Sequence, residues 1–180
     1  GARVRRGLPV SLVAVVLSTV AALGAGSLVL APASAAAPGG TTTVTTKSGL
    51  SLTATPVRRL PASATITVTG KGYDRTVGIY VALCVRVPTG QVPSPCGGGM
   101  DTTGTGTASA WISSNPPPYG VTLATPYKKG GTFRVRLTVS PVINAQVDCR
   151  TTACAIVTRA DHTRPGDRRF DVAVPVTFAP

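Results

Sequence analysis

The sequence predicts an all-β protein: a seven-stranded, immunoglobulin-like Greek-key β-sandwich stapled by disulfides and preceded by a secretory leader. Three observations carry this. From about Leu50 onward, apolar and polar residues alternate with period two, the mark of half-buried antiparallel strands. Clusters of Gly, Pro and Asn punctuate those runs. No stretch after the leader holds a helical period of useful length. Short strands at that spacing, without helices, imply two packed sheets.

The leader reads as residues 1–35. Arg3, Arg5 and Arg6 form a basic start, and an uncharged stretch runs from Gly7 to Leu30. Ala33-Ser34-Ala35 then fits an A-x-A cleavage site, with the cut after Ala35. The alternative is an uncleaved membrane anchor, since about 20 apolar residues span a bilayer. Either way the domain lies outside the cytoplasm, secreted or associated with the cell envelope. Residues 36–49, made of Ala, Pro, Gly, Thr, Val and Ser with one Lys, read as a flexible linker. The domain proper is 50–180.

Seven strands are expected there, at 50–56, 64–70, 77–86, 107–113, 132–139, 153–159 and 171–178. Phe133, Val135, Leu137 and Val139 share one face of the fifth. Val172, Val174, Val176 and Phe178 repeat the pattern in the last, where Pro175 implies an edge strand or a bulge. The strand over 77–86 is the most informative. Ile79, Val81, Leu83 and Val85 form its apolar face, while Tyr80, Ala82, Cys84 and Arg86 form a mixed one. The mixed face is too polar for a main core. It places Cys84 on the outside of a sheet, with segment 87–106 folding back over it as a flap above a cleft or as a flat tether.

The chain carries 18 Lys and Arg against 6 acidic residues, and without the leader a formal +9 remains. Such charge attracts anionic partners, an acidic cell-envelope polymer or nucleic acid among them. No run of basic residues exceeds two, no groove-reading helix or stacking platform is visible, and export argues against nucleic acid as a primary partner. A membrane partner follows only if the leader stays in place. Four cysteines, at 84, 96, 149 and 154, read as two disulfides in an exported chain. Three connectivities are open, and local pairing is the simplest. The spacing lacks the C-x-x-C knuckle of a zinc site, so no metal is expected.

Catalysis is not expected. Asp161-His162 could supply a base and its orienting acid, but neighbours in an extended chain point apart, and no G-x-S-x-G nucleophile elbow exists. Asp161, Asp167 and Asp171 interleave with Arg159, Arg164, Arg168 and Arg169, a pattern of a salt-bridged turn rather than a calcium site. The candidate ligand contacts read from the residues are Tyr80, Arg86, Met100, Trp111, Tyr119 and Tyr127. Trp111 alternates with Ile112, so one of the two faces the core. Tyr119 and Tyr127 flank an inserted hairpin and read as surface residues. A tyrosinate can ligate haem iron, although no spacing here demands haem, and no cofactor is expected.

Three stretches resemble the neocarzinostatin family of enediyne-antibiotic apoproteins. They are Val68-Thr69-Gly70-Lys71-Gly72-Tyr73 running on to Cys84 and Cys96, Gly106-Thr107-Ala108-Ser109-Ala110, and Val147-Asp148-Cys149-Arg150-Thr151-Thr152-Ala153-Cys154. The resemblance spans most of 50–179. It implies the seven-stranded sandwich, the local pairs Cys84–Cys96 and Cys149–Cys154, and an apolar chromophore held in a cleft floored by the first pair. Three departures stand out: Arg86 replaces an aromatic, the domain is basic where the carriers are acidic, and the chain between Ser109 and Cys149 is longer. The expected function is therefore a non-enzymatic binder of an apolar small molecule beside Cys84–Cys96. The alternative is an envelope interaction module, of the kind associated with haem uptake, with no small ligand of its own.

Overall fold

A computed structural model of the chain describes residues 1–2, 36–98 and 106–180. The leader, apart from Gly1 and Ala2, and the candidate contact Met100 lie outside the described residues. Ten strands are present among them: β1 Thr42–Thr45, β2 Ser51–Thr55, β3 Ala64–Lys71, β4 Ile79–Val85, β5 Ser109–Ile112, β6 Phe133–Val139, β7 Val142–Asn144, β8 Val147–Asp148, β9 Cys154–Ala160 and β10 Val172–Val176. One four-stranded sheet has the order β1-β2-β3-β6, the other β10-β9-β4-β5, and β7 and β8 form a separate hairpin. All pairs are antiparallel. Among the described residues no helix is long and apolar enough to cross a membrane.

The seven expected strands correspond to β2–β6, β9 and β10. The expected linker is different: Thr42–Thr45 within it is β1, paired residue by residue with β2 from Thr42 opposite Ala54 to Thr45 opposite Ser51. Every residue of β1 is β-branched, which favours extended backbone. The Thr43 hydroxyl meets that of Thr53 at 2.7 Å, and Thr45 meets Ser51 at 3.2 Å. A polar composition concealed a strand because its partner is another polar face. β7 and β8 are too short to leave a periodic signal.

The core lies between the two sheets. Leu52, Ile66 and Leu137 from the first meet Ile79, Leu83, Ile112 and Ile156 from the second, all essentially fully buried. Each such side chain contributes about 1.5–3 kcal/mol relative to exposure. The arginine ion pairs on the surface contribute far less each. Pro175 sits opposite Ala155 on β10, which is the sheet edge, where its missing N–H leaves no central ladder broken. Cys149–Cys154 joins this core, with both residues buried and Cα atoms 5.5 Å apart. At Gly131 the backbone has φ +62°, and a Cβ there would overlap the Tyr73 carbonyl, so the turn into β6 requires glycine.

Candidate functional site

The outer face of the second sheet is built in rows. Opposite residues across β5, β4 and β9 are Trp111, Tyr80 and Arg159, then Ser109, Ala82 and Val157. Cys84 and Ala155 form the next row. Period-two alternation fixes this, since Ile112, Ile79 and Ala160 point into the core one residue away. Ala82, Cys84, Ala155 and Val157 pack as a small apolar cluster separate from the main core, with Cys96 against them.

The disulfide Cys84–Cys96 anchors the returning segment above this cluster. Val85 N–H donates to the Pro95 carbonyl at 3.0 Å, and Gly97 N–H donates to the Leu83 carbonyl at 2.7 Å. These bonds zip the segment onto the edge of β4 beyond the end of β5. On the other side, the Arg159 guanidinium donates to the Pro93 carbonyl at 2.9 Å. The segment thus arches rather than lying flat. Beneath it is a cleft of about 210 Å³, lined by Tyr80, Ala82, Cys84, Ser94, Cys96, Ser109, Val157 and Arg159.

One end of the cleft is an aromatic cluster. His162 stacks on Tyr80 with centroids 5.9 Å apart and meets Trp111 edge-on at 5.2 Å. Tyr119, delivered by a turn of 3-10 helix at Pro118–Gly120, stacks on Trp111 at 6.4 Å. His162 Nδ1 is hydrogen-bonded to the Tyr80 hydroxyl, and Nε2 lies 2.5 Å from the Tyr119 hydroxyl. A hydroxyl can donate or accept, so each tyrosine can complement the ring nitrogen it faces. Partial burial raises the Tyr80 pKa above the ordinary tyrosine value, with the Asp161 charge adding to it. Asp161, buried at 2% exposure, accepts the Trp111 indole N–H at 2.8 Å. Its second oxygen accepts the Thr163 N–H and hydroxyl at 2.9 and 2.6 Å. Two glycines make room for Trp111. A Cβ on Gly78 would overlap Asp161 Oδ2, and one on Gly120 would overlap the indole ring.

This arrangement brings together Tyr80, Cys84 and Cys96 in the cleft and Trp111 and Tyr119 at its end. Ile112 takes the core position, leaving Trp111 on the outer face. Two expected contacts are elsewhere. Tyr127 is buried, with its hydroxyl donating to the Val77 carbonyl at 3.0 Å and its ring 6.4 Å from Tyr73 and 6.3 Å from Phe133. It is a core residue whose hydroxyl pKa burial raises far above the ordinary value. Arg86 is exposed, one residue past the end of β4, and does not line the cleft. It borders a second hollow, about 180 Å³, with Pro88, Gln91, Arg168 and Asp171.

Sequence reasoning missed Arg159 and Val157 as cleft residues and His162 as the centre of the aromatic cluster. Alternation along 153–159 places Ala155, Val157 and Arg159 together, but only the register with β4 aligns them with Cys84. Asp161 and His162 both touch Trp111, but both imidazole nitrogens are taken by tyrosine hydroxyls rather than by the carboxylate, so no acid–base dyad forms. The arginine-rich turn is salt-bridged as expected, with Arg169–Asp167 at 2.6 Å and Arg168–Asp171 at 3.0 Å. Among the described residues no group of three His, Cys, Asp or Glu could hold a metal.

A model of the neocarzinostatin family matches residues 52–178. The chain belongs to that family. The solved structure of macromomycin is 20% identical, with a TM-score of 0.46 over 73% of this chain and 100% of macromomycin. No curated protein matches the chain. Both disulfides pair as the resemblance to the neocarzinostatin family implies, locally and in sequence order.

Proposed function

We propose that the chain is an exported, non-enzymatic carrier that holds an apolar small molecule in the cleft over Cys84–Cys96. The observation that carries this is the cleft itself. Its floor of Ala82, Val157 and the disulfide is apolar, and its residues contribute nothing to the main core. Small apolar floors with a few polar groups on the walls are what ligand sites present. Family membership supports the reading, as members resemble carriers of an apolar chromophore. The leader over 1–35 supports export. All four tyrosine hydroxyls are hydrogen-bonded: Tyr73 with Thr158, Tyr80 and Tyr119 with His162, and Tyr127 with Val77.

The test is fluorescence titration with the neutral probe N-phenyl-1-naphthylamine. The chain binds it saturably at one site, and Ala82→Leu, which pushes an isobutyl group into the cleft, abolishes binding while thermal stability holds. Absence of saturable binding, or binding indifferent to Ala82→Leu, rules out the cleft as a carrier site.

A second reading rests on the outer face of the first sheet. Thr43, Thr53, Thr69 and Arg134 form one row there, and Thr55, Thr67 and Arg136 the next. Partly exposed hydroxyls beside two exposed guanidinium groups suit an anionic envelope polymer. Binding to isolated cell walls that weakens with salt and with the Arg134→Gln, Arg136→Gln pair supports it.

A further inference from the structure

Among the described residues Arg159 is the single cation lining the cleft, and no carboxylate lines it. It stands in the central row, opposite Tyr80 on the neighbouring strand. Its side chain is half-buried and makes one hydrogen bond, through one terminal nitrogen to the Pro93 carbonyl at 2.9 Å. The three ion pairs among the described residues are Arg150–Asp148, Arg168–Asp171 and Arg169–Asp167. Arg159 is in none of these pairs. A guanidinium carries five N–H donors and no acceptor. The donors that Pro93 does not take stay accessible to solvent beside the apolar floor and open to an acceptor. Ser94, Ser109 and Tyr80 add hydroxyl-bearing walls around the same volume.

We propose that the cleft takes a ligand with an acidic group, a carboxylate, sulfonate or comparable oxyanion on an apolar ring system, and that Arg159 pairs with that anion. The apolar body lies on Ala82, Val157 and the Cys84–Cys96 bridge. The free edge of the guanidinium supplies the parallel N–H donors that an oxyanion accepts. This rests on the carrier reading above and adds the charge of the cargo to it. The competing role for Arg159 is a brace that only holds Pro93 in place.

Two probes share one ring system: 8-anilinonaphthalene-1-sulfonate carries an anion and N-phenyl-1-naphthylamine does not. Wild-type chain binds the sulfonate about tenfold or more tightly than the neutral probe, the range expected of a charge-assisted hydrogen bond. Arg159→Gln keeps an N–H donor for the Pro93 carbonyl and removes the charge. It lowers affinity for the sulfonate about tenfold and leaves the neutral probe within about twofold. Arg159→Lys restores most of the preference. Arg134→Gln, the same charge change on the far sheet, leaves it intact. Equal affinity of wild type for the two probes overturns the proposal while the carrier reading stands. So does an equal loss of both probes in Arg159→Gln, which assigns Arg159 to bracing. Failure of both probes to bind wild type overturns the carrier reading itself.

Discussion

Asp161→Asn tests whether the aromatic end of the cleft is held as described. Asp161 is buried at 2% exposure and accepts three hydrogen bonds, from Trp111 Nε1 at 2.8 Å, Thr163 N at 2.9 Å and Thr163 Oγ1 at 2.6 Å. Asparagine has the same shape. Its carbonyl oxygen still accepts from Thr163, but its amide then presents N–H groups to the indole N–H. One charge-assisted bond is lost and two donors face each other without an acceptor. A bond to a charged group contributes about 1.5–3 kcal/mol, and an unsatisfied buried donor costs about 1–3 kcal/mol. These overlap, so the expected loss is about 3 kcal/mol. For a domain of this size that lowers Tm by about 6–12 °C.

Thermal and urea denaturation measure the loss, and a double-mutant cycle assigns it. In a Trp111→Phe background the indole N–H is gone, so Asp161→Asn costs less there, by a coupling of about 1.5–3 kcal/mol. Trp111 is the chain's one tryptophan. Its emission therefore reports the site directly, and Asp161→Asn shifts it. A coupling below about 0.5 kcal/mol, or an unshifted emission spectrum, refutes the assignment of Asp161 as the anchor of Trp111.

Two further predictions concern pH and the staple. Burial holds the Asp171 carboxyl up at about 6, although Arg168 lies 3.0 Å away. A carboxyl raised in the fold favours the protonated form, so stability is fully present below about pH 4 and falls as pH rises through about 6, by about 2–3 kcal/mol. Asp171→Asn removes that decline in urea melts between pH 4 and pH 7, and an unchanged decline assigns it to another group. Asp167, held at about 2 by its bonds with Arg169, acts in the opposite direction and only below that window. The pair Cys84→Ser, Cys96→Ser opens a loop of sequence separation 12, at a cost of about 3 kcal/mol by loop-closure entropy. The same pair abolishes naphthylamine binding, because the bridge is both floor and hinge of the cleft. Retained binding after its removal refutes that double role.

The sandwich was legible because alternation survives without knowledge of partners. Phe133, Leu137 and Val139 announce a buried face by spacing alone, and Pro175 announces an edge by its missing donor. The position of Cys84 on the outer face followed from the same period. What alternation cannot supply is register. Arg159 and Val157 read as ordinary strand residues until β9 is laid against β4. β1 escaped notice because both of its faces are rich in threonine, so no hydrophobic period marks it. Tyr127 was misplaced for a tertiary reason. Its local surroundings of Pro126 and two lysines read as surface, yet Tyr73 and Phe133 enclose it from distant strands. Arg86 lies one residue past the end of β4 at Val85, so alternation extended beyond the strand does not place it in the cleft.

The two faces of β4 and β9 carry separate duties, and that separation explains how this fold can hold a cleft at little cost to stability. Inward, Ile79, Val81, Leu83 and Ile156 are large and fully buried. Outward, Ala82, Ala155 and Val157 are small. Large side chains at those outer positions would fill the volume beneath the Pro93–Gly97 arch and leave no cleft. Small ones leave the hollow open without removing a contact from the core. Ligand preference can then change through wall residues such as Arg159 while the core stays constant. A basic member of the family with a charged wall is one outcome of that independence. The Arg159→Gln comparison measures it directly, because its effect on probe selectivity is expected with no matching fall in Tm.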